Sequence, residues 1–233
     1  MDKEDVRLWL WRKFGLAMWR HALPFGADVY LDICRLGYNP AIIFDVGANV
    51  GQKSLYMLKL WPNADIHAFE PVSKTFQALR ENVAKRPQIH PWNIALSDSI
   101  GVAEIFLDAQ YSELSSMNKP GGATSEMIQL ATLAAFTKDH ELNHVDLLKI
   151  DTEGHEESVL RGAGAMFETN PPSICVIEAG FNGAKPFVPA DTLMKWFDDR
   201  GYRFAGCYDH GLNSKGRFLE RADLLFIFGR EIG

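Results

Sequence analysis

The chain has 233 residues, of which 47% are hydrophobic and 23% charged, with a formal net charge of -6. That length supports one large α/β domain with a sizeable core, and the acidic balance argues against nucleic acid as a partner, because phosphate binding needs a basic face. The three cysteines, Cys34, Cys175 and Cys207, are too widely spaced for a metal pair or a disulfide framework, so a reducing, cytoplasmic setting is expected.

Residues 1–38 read as an N-terminal helical extension, and 39–233 as the main domain. Leu8-Trp9-Leu10-Trp11 and Trp19 are bulky, but Arg12, Lys13, Arg20 and His21 interrupt them. No apolar run reaches the length of a membrane span, and no small-residue cleavage site follows. Three readings stay open for this segment: packing on the main domain, a homodimer contact, or an amphipathic helix resting on a membrane surface.

The run Ile42-Ile43-Phe44-Asp45-Val46-Gly47-Ala48-Asn49-Val50-Gly51 reads as a buried strand, an acid, a loop with two glycines and the start of a helix near 52–60. Such a strand–loop–helix grips a nucleoside cofactor. Asp45 before the first glycine would repel a pyrophosphate. S-adenosylmethionine has no phosphate and carries a sulfonium and an ammonium, so an acid is tolerable there and can hold the amino-acid end, directly or through a water.

A second strand near 65–70 ends in Glu70, about 20 residues past the glycine loop, the spacing at which an acid accepts from ribose hydroxyls. Pro71 stops the strand, and Ser73 is the expected N-cap of a helix near 73–85. A third strand is expected near 89–95 and an alternating one at 102–108. Tyr111 to Glu126 reads as a loop beside the site or a surface connection. Then follow a strand at 145–150, a helix at 154–168 with Val159, Leu160, Ala163 and Phe167 inward, a strand at Ile174–Glu178, a helix at Pro189–Gly201, and strands near 203–208 and 223–228. Strands alternating with helices imply a mostly parallel sheet covered on both faces. Cys175 is expected as a small core residue.

In such a sheet ligands collect at the carboxyl ends of the strands. Asp45, Glu70, Asp98, Asp151 and Glu178 all stand at or just past such ends. Asn93-Ile94-Ala95-Leu96-Ser97-Asp98 would deliver Ser97 and Asp98 beside an adenine, although a plain turn explains them as well. Asp151, Glu153, His155 and Glu156 crowd the start of a helix, where the helix dipole favours carboxylates. They also suit an acceptor hydroxyl. Methyl transfer from a sulfonium is an in-line displacement, so the protein must align the acceptor and take its proton. His155 or a neighbouring carboxylate would serve. A divalent cation is not expected, but Asp151 and Glu178 are its candidate ligands.

Four segments together, Asp45–Gly51, Phe69-Glu70-Pro71, Ala95–Asp98 and Leu148–Glu156, resemble the FkbM-type methyltransferases of the class I S-adenosylmethionine-dependent superfamily, over roughly residues 40–180. Thr152 departs from the small apolar residue usual at its position. The resemblance implies a Rossmann-like seven-stranded sheet, mostly parallel with the last strand antiparallel, helices on both faces, and O-methylation of a hydroxyl on a small molecule, sugar or glycan. It implies that 39–233 is the methyltransferase domain. Asp45, Gly47, Asn49 and Gly51 would line the methionine end, Glu70 the ribose, and Ser97 and Asp98 the adenine, with Pro71 also in the cofactor site. Asp151, Glu153 and His155 would face the acceptor. Two other readings compete. A nicotinamide-dependent oxidoreductase is disfavoured by Asn49 in the place of the middle glycine. A non-catalytic cofactor-binding protein with a membrane-surface N-terminus is kept open by the tryptophans.

Overall fold

The computed structural model describes residues 23–107, 124–213 and 215–229. The Trp-rich segment before residue 23 and most of the expected loop at 111–126 lie outside the described residues.

The central strand β1 (Ile42–Val46) pairs in parallel with β2 (Asp65–Phe69) on one side and β7 (Leu147–Ile150) on the other. The sheet continues through β3 (Ile89–Trp92) at one edge and β8 (Ile174–Gly180), β10 (Leu219–Phe228) and β9 (Tyr202–Leu212) at the other. Its order is β3-β2-β1-β7-β8-β10-β9, with β10, the last strand among the described residues, antiparallel to both neighbours. This is the seven-stranded, mostly parallel arrangement expected from the resemblance.

Near-continuous apolar runs such as Leu147-Leu148 and Ile174–Ile177 are buried because helices cover both faces. One face packs on α1 (Val29–Arg35), α2 (Gln52–Leu60) and α3 (Ser73–Val83), through Ile33, Met57 and Leu79 against Ile43, Leu147 and Val176. The other packs on α4 (Leu133–Asp139), α5 (Glu156–Arg161), α6 (Met166–Thr169) and α7 (Ala190–Asp198), through Phe136, Leu160, Phe167 and Phe197 against Phe44, Leu148 and Phe226. Cys175 is fully buried in that second core. Among the described residues, no helix is long and apolar enough to cross a membrane.

Three expectations need correction. The strand expected at 89–95 is two strands: β3 ends at Trp92, and β4 (Ala95–Ser97) leaves the main sheet to join a second sheet of order β4-β6-β5, with β5 at Gly101–Leu107 and β6 at Thr124–Thr132. Asn93 makes the break, donating from Nδ2 to the carbonyls of Glu70 (3.0 Å) and Pro71 (2.9 Å). The helix expected at 154–168 is broken around Gly162 and Gly164. Ser73 is the first helical residue of α3 and not its N-cap, which is Val72. The Ser73 amide and hydroxyl instead both donate to the carboxylate of Glu126 on β6, the amide at 3.0 Å.

Candidate active site

A cavity of about 310 Å³ opens at the carboxyl ends of β1, β2 and β7. Its floor is the glycine loop. The amides of Gly47 and Ala48 both donate to the carbonyl of Phe69, at 3.0 and 2.9 Å, which turns the chain sharply after β1. Gly47 has φ +76, and a Cβ placed on it would lie 1.8 Å from the carbonyl oxygen of Asp151. Only glycine allows that approach. Asn49 is also left-handed, with φ 49, and its amide donates to Glu70 Oε2 at 3.1 Å. Gly51 has φ +84, and its missing Cβ makes room for Leu79 of α3.

Glu70 is 7% exposed and lines the cavity. Its other oxygen accepts from the amide of Val72 at 3.0 Å. Burial pushes its carboxyl up to about 7, against the opposing pull of these amides and of Lys149. Pro71 and Val72 continue the wall, and Ile94, Leu96, Ile105 and Ile128 add an apolar end, the last three from the second sheet.

Asp45 does not line the cavity. It is fully buried beneath the loop, where its Oδ2 accepts from Ser54 Oγ at 2.5 Å and its Oδ1 lies 3.1 Å from Lys149 Nζ. Asp45 and Lys149 are register partners on β1 and β7, and their side chains share the face that α2 covers. The ammonium also reaches the Gly47 carbonyl at 2.9 Å and Asp151 Oδ2 at 3.4 Å. Burial opposes its charge, but the carboxylates of Asp45 and Asp151 outweigh this and raise its pKa further. The sequence reading passed over Lys149. The available signal was a lone lysine in an otherwise apolar strand, since buried charges are rarely unpaired.

Asp151, Thr152, Glu153 and His155 line the opposite wall. Glu156, fully buried, closes the turn that holds them, its Oε1 accepting from the amides of Thr152 (3.0 Å) and Gly154 (3.1 Å) and from the Thr152 hydroxyl (2.9 Å). Thr152, the departure from the family pattern, is thereby tied into the turn. Carboxylate oxygens of Asp151, Glu153 and Glu178 come within 4.8 Å of one another. Burial opposes charge on Asp151, but Lys149 overrides it and keeps that carboxyl below its usual range. Burial, with Asp151 and Glu153 nearby, drives Glu178 well above its own. Asp151 meets Lys149, and Glu178 meets Arg221 Nη1 at 2.7 Å. Such a cluster has the oxygen chemistry of a cation site, with part of its charge already balanced.

Ser97 and Asp98, expected beside an adenine, do not line the cavity. Ser97 Oγ is 2.9 Å from His155 Nε2, and Asp98 turns outward to Arg161, with Oδ2 3.2 Å from both Nε and Nη2. Burial lowers the pKa of His155, so its ring is neutral at neutral pH.

The model of the methyltransferase FkbM domain matches residues 45–204. The chain belongs to this family. Methyltransferase sdnD of Sordaria araneosa is 30% identical over 204 residues, covering 73% of this chain and 78% of sdnD. The 31-O-demethyl-FK506 methyltransferase FkbM of Streptomyces tacrolimicus is 27% identical over 171 residues, 58% of this chain and 66% of its own. Hexuronic acid methyltransferase AglP of Haloferax volcanii is 28% identical over 154 residues, 64% of this chain and 62% of its own. The chain thus spans somewhat under two thirds of these last two relatives. Among solved structures, TrmK of M. capricolum in complex with S-adenosyl-homocysteine shares the fold, with a TM-score of 0.52 at 14% identity over 90% of this chain and 70% of TrmK. An rRNA methylase from Streptococcus thermophilus also has a TM-score of 0.52, at 8% identity over 90% of this chain and 100% of its own.

Proposed function

We propose that this FkbM-family chain moves a methyl group from S-adenosylmethionine to a hydroxyl of a small molecule, sugar or glycan. One observation carries the reading: the glycine loop and Glu70 meet at one cavity whose far wall holds Asp151 and Glu153. Glu70 is assigned to the ribose hydroxyls, and the backbone at Gly47 and Asn49 to the methionine end. The apolar end at Leu96, Ile105 and Ile128 is assigned to the adenine. Asp45 and Gly51 act from beneath, shaping the loop. The names of AglP and FkbM, and the product bound to TrmK, support the acceptor class and the cofactor. The oxidoreductase alternative finds no support in the family match.

The chemistry then divides as follows. The acceptor oxygen attacks the methyl carbon in line as the carbon–sulfur bond breaks, leaving a neutral thioether. The enzyme's task is alignment and removal of the hydroxyl proton. Asp151 and Glu153 face the acceptor and accept its hydrogen bond, and the hydroxyl proton passes to one of these carboxylates as the new carbon–oxygen bond forms. His155, tied to Ser97, sits toward the adenine end and steadies that wall. No metal is assigned to the acidic cluster.

The deciding experiment is calorimetric titration with S-adenosylmethionine, S-adenosylhomocysteine and NAD, followed by transfer of labelled methyl to a panel of sugar and polyketide alcohols. Binding of the first two with methyl incorporation fits the reading. Binding without transfer to any hydroxyl would favour the non-catalytic alternative, and no binding would remove the cofactor assignment.

A further inference from the structure

β7 holds one charge among apolar residues. Leu147, Leu148 and Ile150 are fully buried, and Lys149 is 3% exposed. An ammonium has three donors and no acceptor. Around this one stand four oxygens: the carbonyls of Gly47 (2.9 Å) and Val46 (3.4 Å), Asp45 Oδ1 (3.1 Å) and Asp151 Oδ2 (3.4 Å). The first three belong to the end of β1 and the start of the methyl-donor loop, and the fourth to the wall assigned to the acceptor. Some hundred residues of chain separate the two.

The other cations lining the cavity serve different partners. Arg221 reaches Glu178, and Lys53 pairs with Asp209. Asp45 is itself clamped by Ser54, so it cannot swing toward a ligand without leaving the ammonium. A buried cation held on three sides by β1 and the first glycine of the loop fixes whatever it touches on the fourth.

We propose that Lys149 is a positioning residue that sets the Asp151 carboxylate in place relative to the methyl-donor loop, with Asp45 as its anchor. The inference rests on the reading of the cavity as an S-adenosylmethionine site with Asp151 on the acceptor side.

The test uses the full chain as wild type, Lys149→Arg, Lys149→Met and the double variant Lys149→Met with Asp45→Asn. The double variant removes the cation together with the buried carboxylate it neutralises, so it folds where Lys149→Met alone fails. Thermal unfolding checks each protein, and calorimetry with S-adenosylhomocysteine and a crystal structure of the complex follow. Lys149→Arg keeps the affinity close to wild type. The folded double variant binds about tenfold more weakly, the scale of a lost charged hydrogen bond, and Asp151 shifts by about 1 Å against Gly47. A folded double variant that binds like wild type, with Asp151 unmoved, overturns the inference alone. A wild-type chain that does not bind S-adenosylhomocysteine overturns it together with the reading beneath it.

Discussion

Ser97 Oγ and His155 Nε2 lie 2.9 Å apart, so a residue expected at the adenine and one expected at the acceptor are direct neighbours, Ser97 standing behind the wall that His155 lines. They cannot flank the methyl group from opposite sides. Sequence spacing had placed His155 with Asp151, since both stand in one short segment. Both line the cavity, but the His155 ring is tied to Ser97 at the end of β4, whereas Asp151 is tied to Lys149.

His155→Ala is therefore expected to act on the cofactor. Its affinity should fall by about 1 kcal/mol, the usual worth of one hydrogen bond, and labelled methyl transfer should persist at saturating cofactor. Asp151→Asn should do the reverse, removing transfer and leaving affinity nearly intact. Loss of transfer in His155→Ala with unchanged affinity would return the base role to the histidine.

Glu70 links pH to both binding and stability. Its carboxyl titrates near about 7 in the folded chain, against 4.5 ordinarily. As this pKa is raised, the neutral form is favoured by folding; that stabilisation is complete below about 4.5 and is lost as pH rises through about 7. At about 1.4 kcal/mol per unit, the whole effect is on the order of 3 kcal/mol. Cofactor affinity runs the other way, because ionised Glu70 accepts ribose hydroxyls better. Titration of S-adenosylhomocysteine from pH 5.5 to 8 should show affinity rising while the apo-chain's unfolding temperature falls. A flat affinity profile would remove Glu70 from the ribose.

Gly47→Ala and Gly37→Ala separate space from backbone strain. Both glycines have positive φ, but a Cβ at Gly37 meets nothing within 4 Å, whereas at Gly47 it overlaps the Asp151 carbonyl. Gly37→Ala should cost only about 1–2 kcal/mol of stability, the left-handed penalty. Gly47→Ala should cost more and abolish cofactor binding by driving the loop away from β7. Equal losses would mean that the close approach yields easily.

The acidic cluster gives a further test. With Lys149 on Asp151 and Arg221 on Glu178, part of the charge a divalent cation would answer is already balanced. Exhaustive chelation should leave methyl transfer unchanged. Transfer lost on chelation and restored by Mg²⁺ would put a cation at Asp151, Glu153 and Glu178.

The core strands and helices were legible because buried parallel strands and amphipathic helices print their periods directly. Ile42–Val46, Leu147–Ile150 and Ile174–Gly180 carry near-unbroken apolar runs, and their ends were placed within a residue or two. What stayed hidden depends on partners distant in the chain. The second sheet exists because β4 finds β6 across the intervening residues; the half-exposed strand Thr124–Thr132 starts inside the expected 111–126 loop, and the rest of it has no clear sequence signal. Lys149 escaped notice because its meaning lies in Asp45, its neighbour across two strands. The break in the 154–168 helix comes where Gly164 turns left-handed, with φ 57, and Gly162 packs so closely that a Cβ would lie 1.9 Å from the Ser97 carbonyl, a contact that spacing does not announce.

The antiparallel last strand has a consequence for how the site comes into being. The glycine loop and Glu70 meet through a stretch of some twenty residues, so that half can assemble from local chain. Asp151 must wait for β7 to enter beside β1, and Arg221 for the closing hairpin of β9 and β10. The Tyr208 hydroxyl donates to Asp32 at 3.1 Å across 176 residues, binding the closing hairpin to the first described helix. Contacts this distant form slowly and late. Along the chain, then, the residues of the glycine loop and Glu70 come before Asp151 and Glu153, and Arg221, which also lines the cavity, comes only with the closing hairpin.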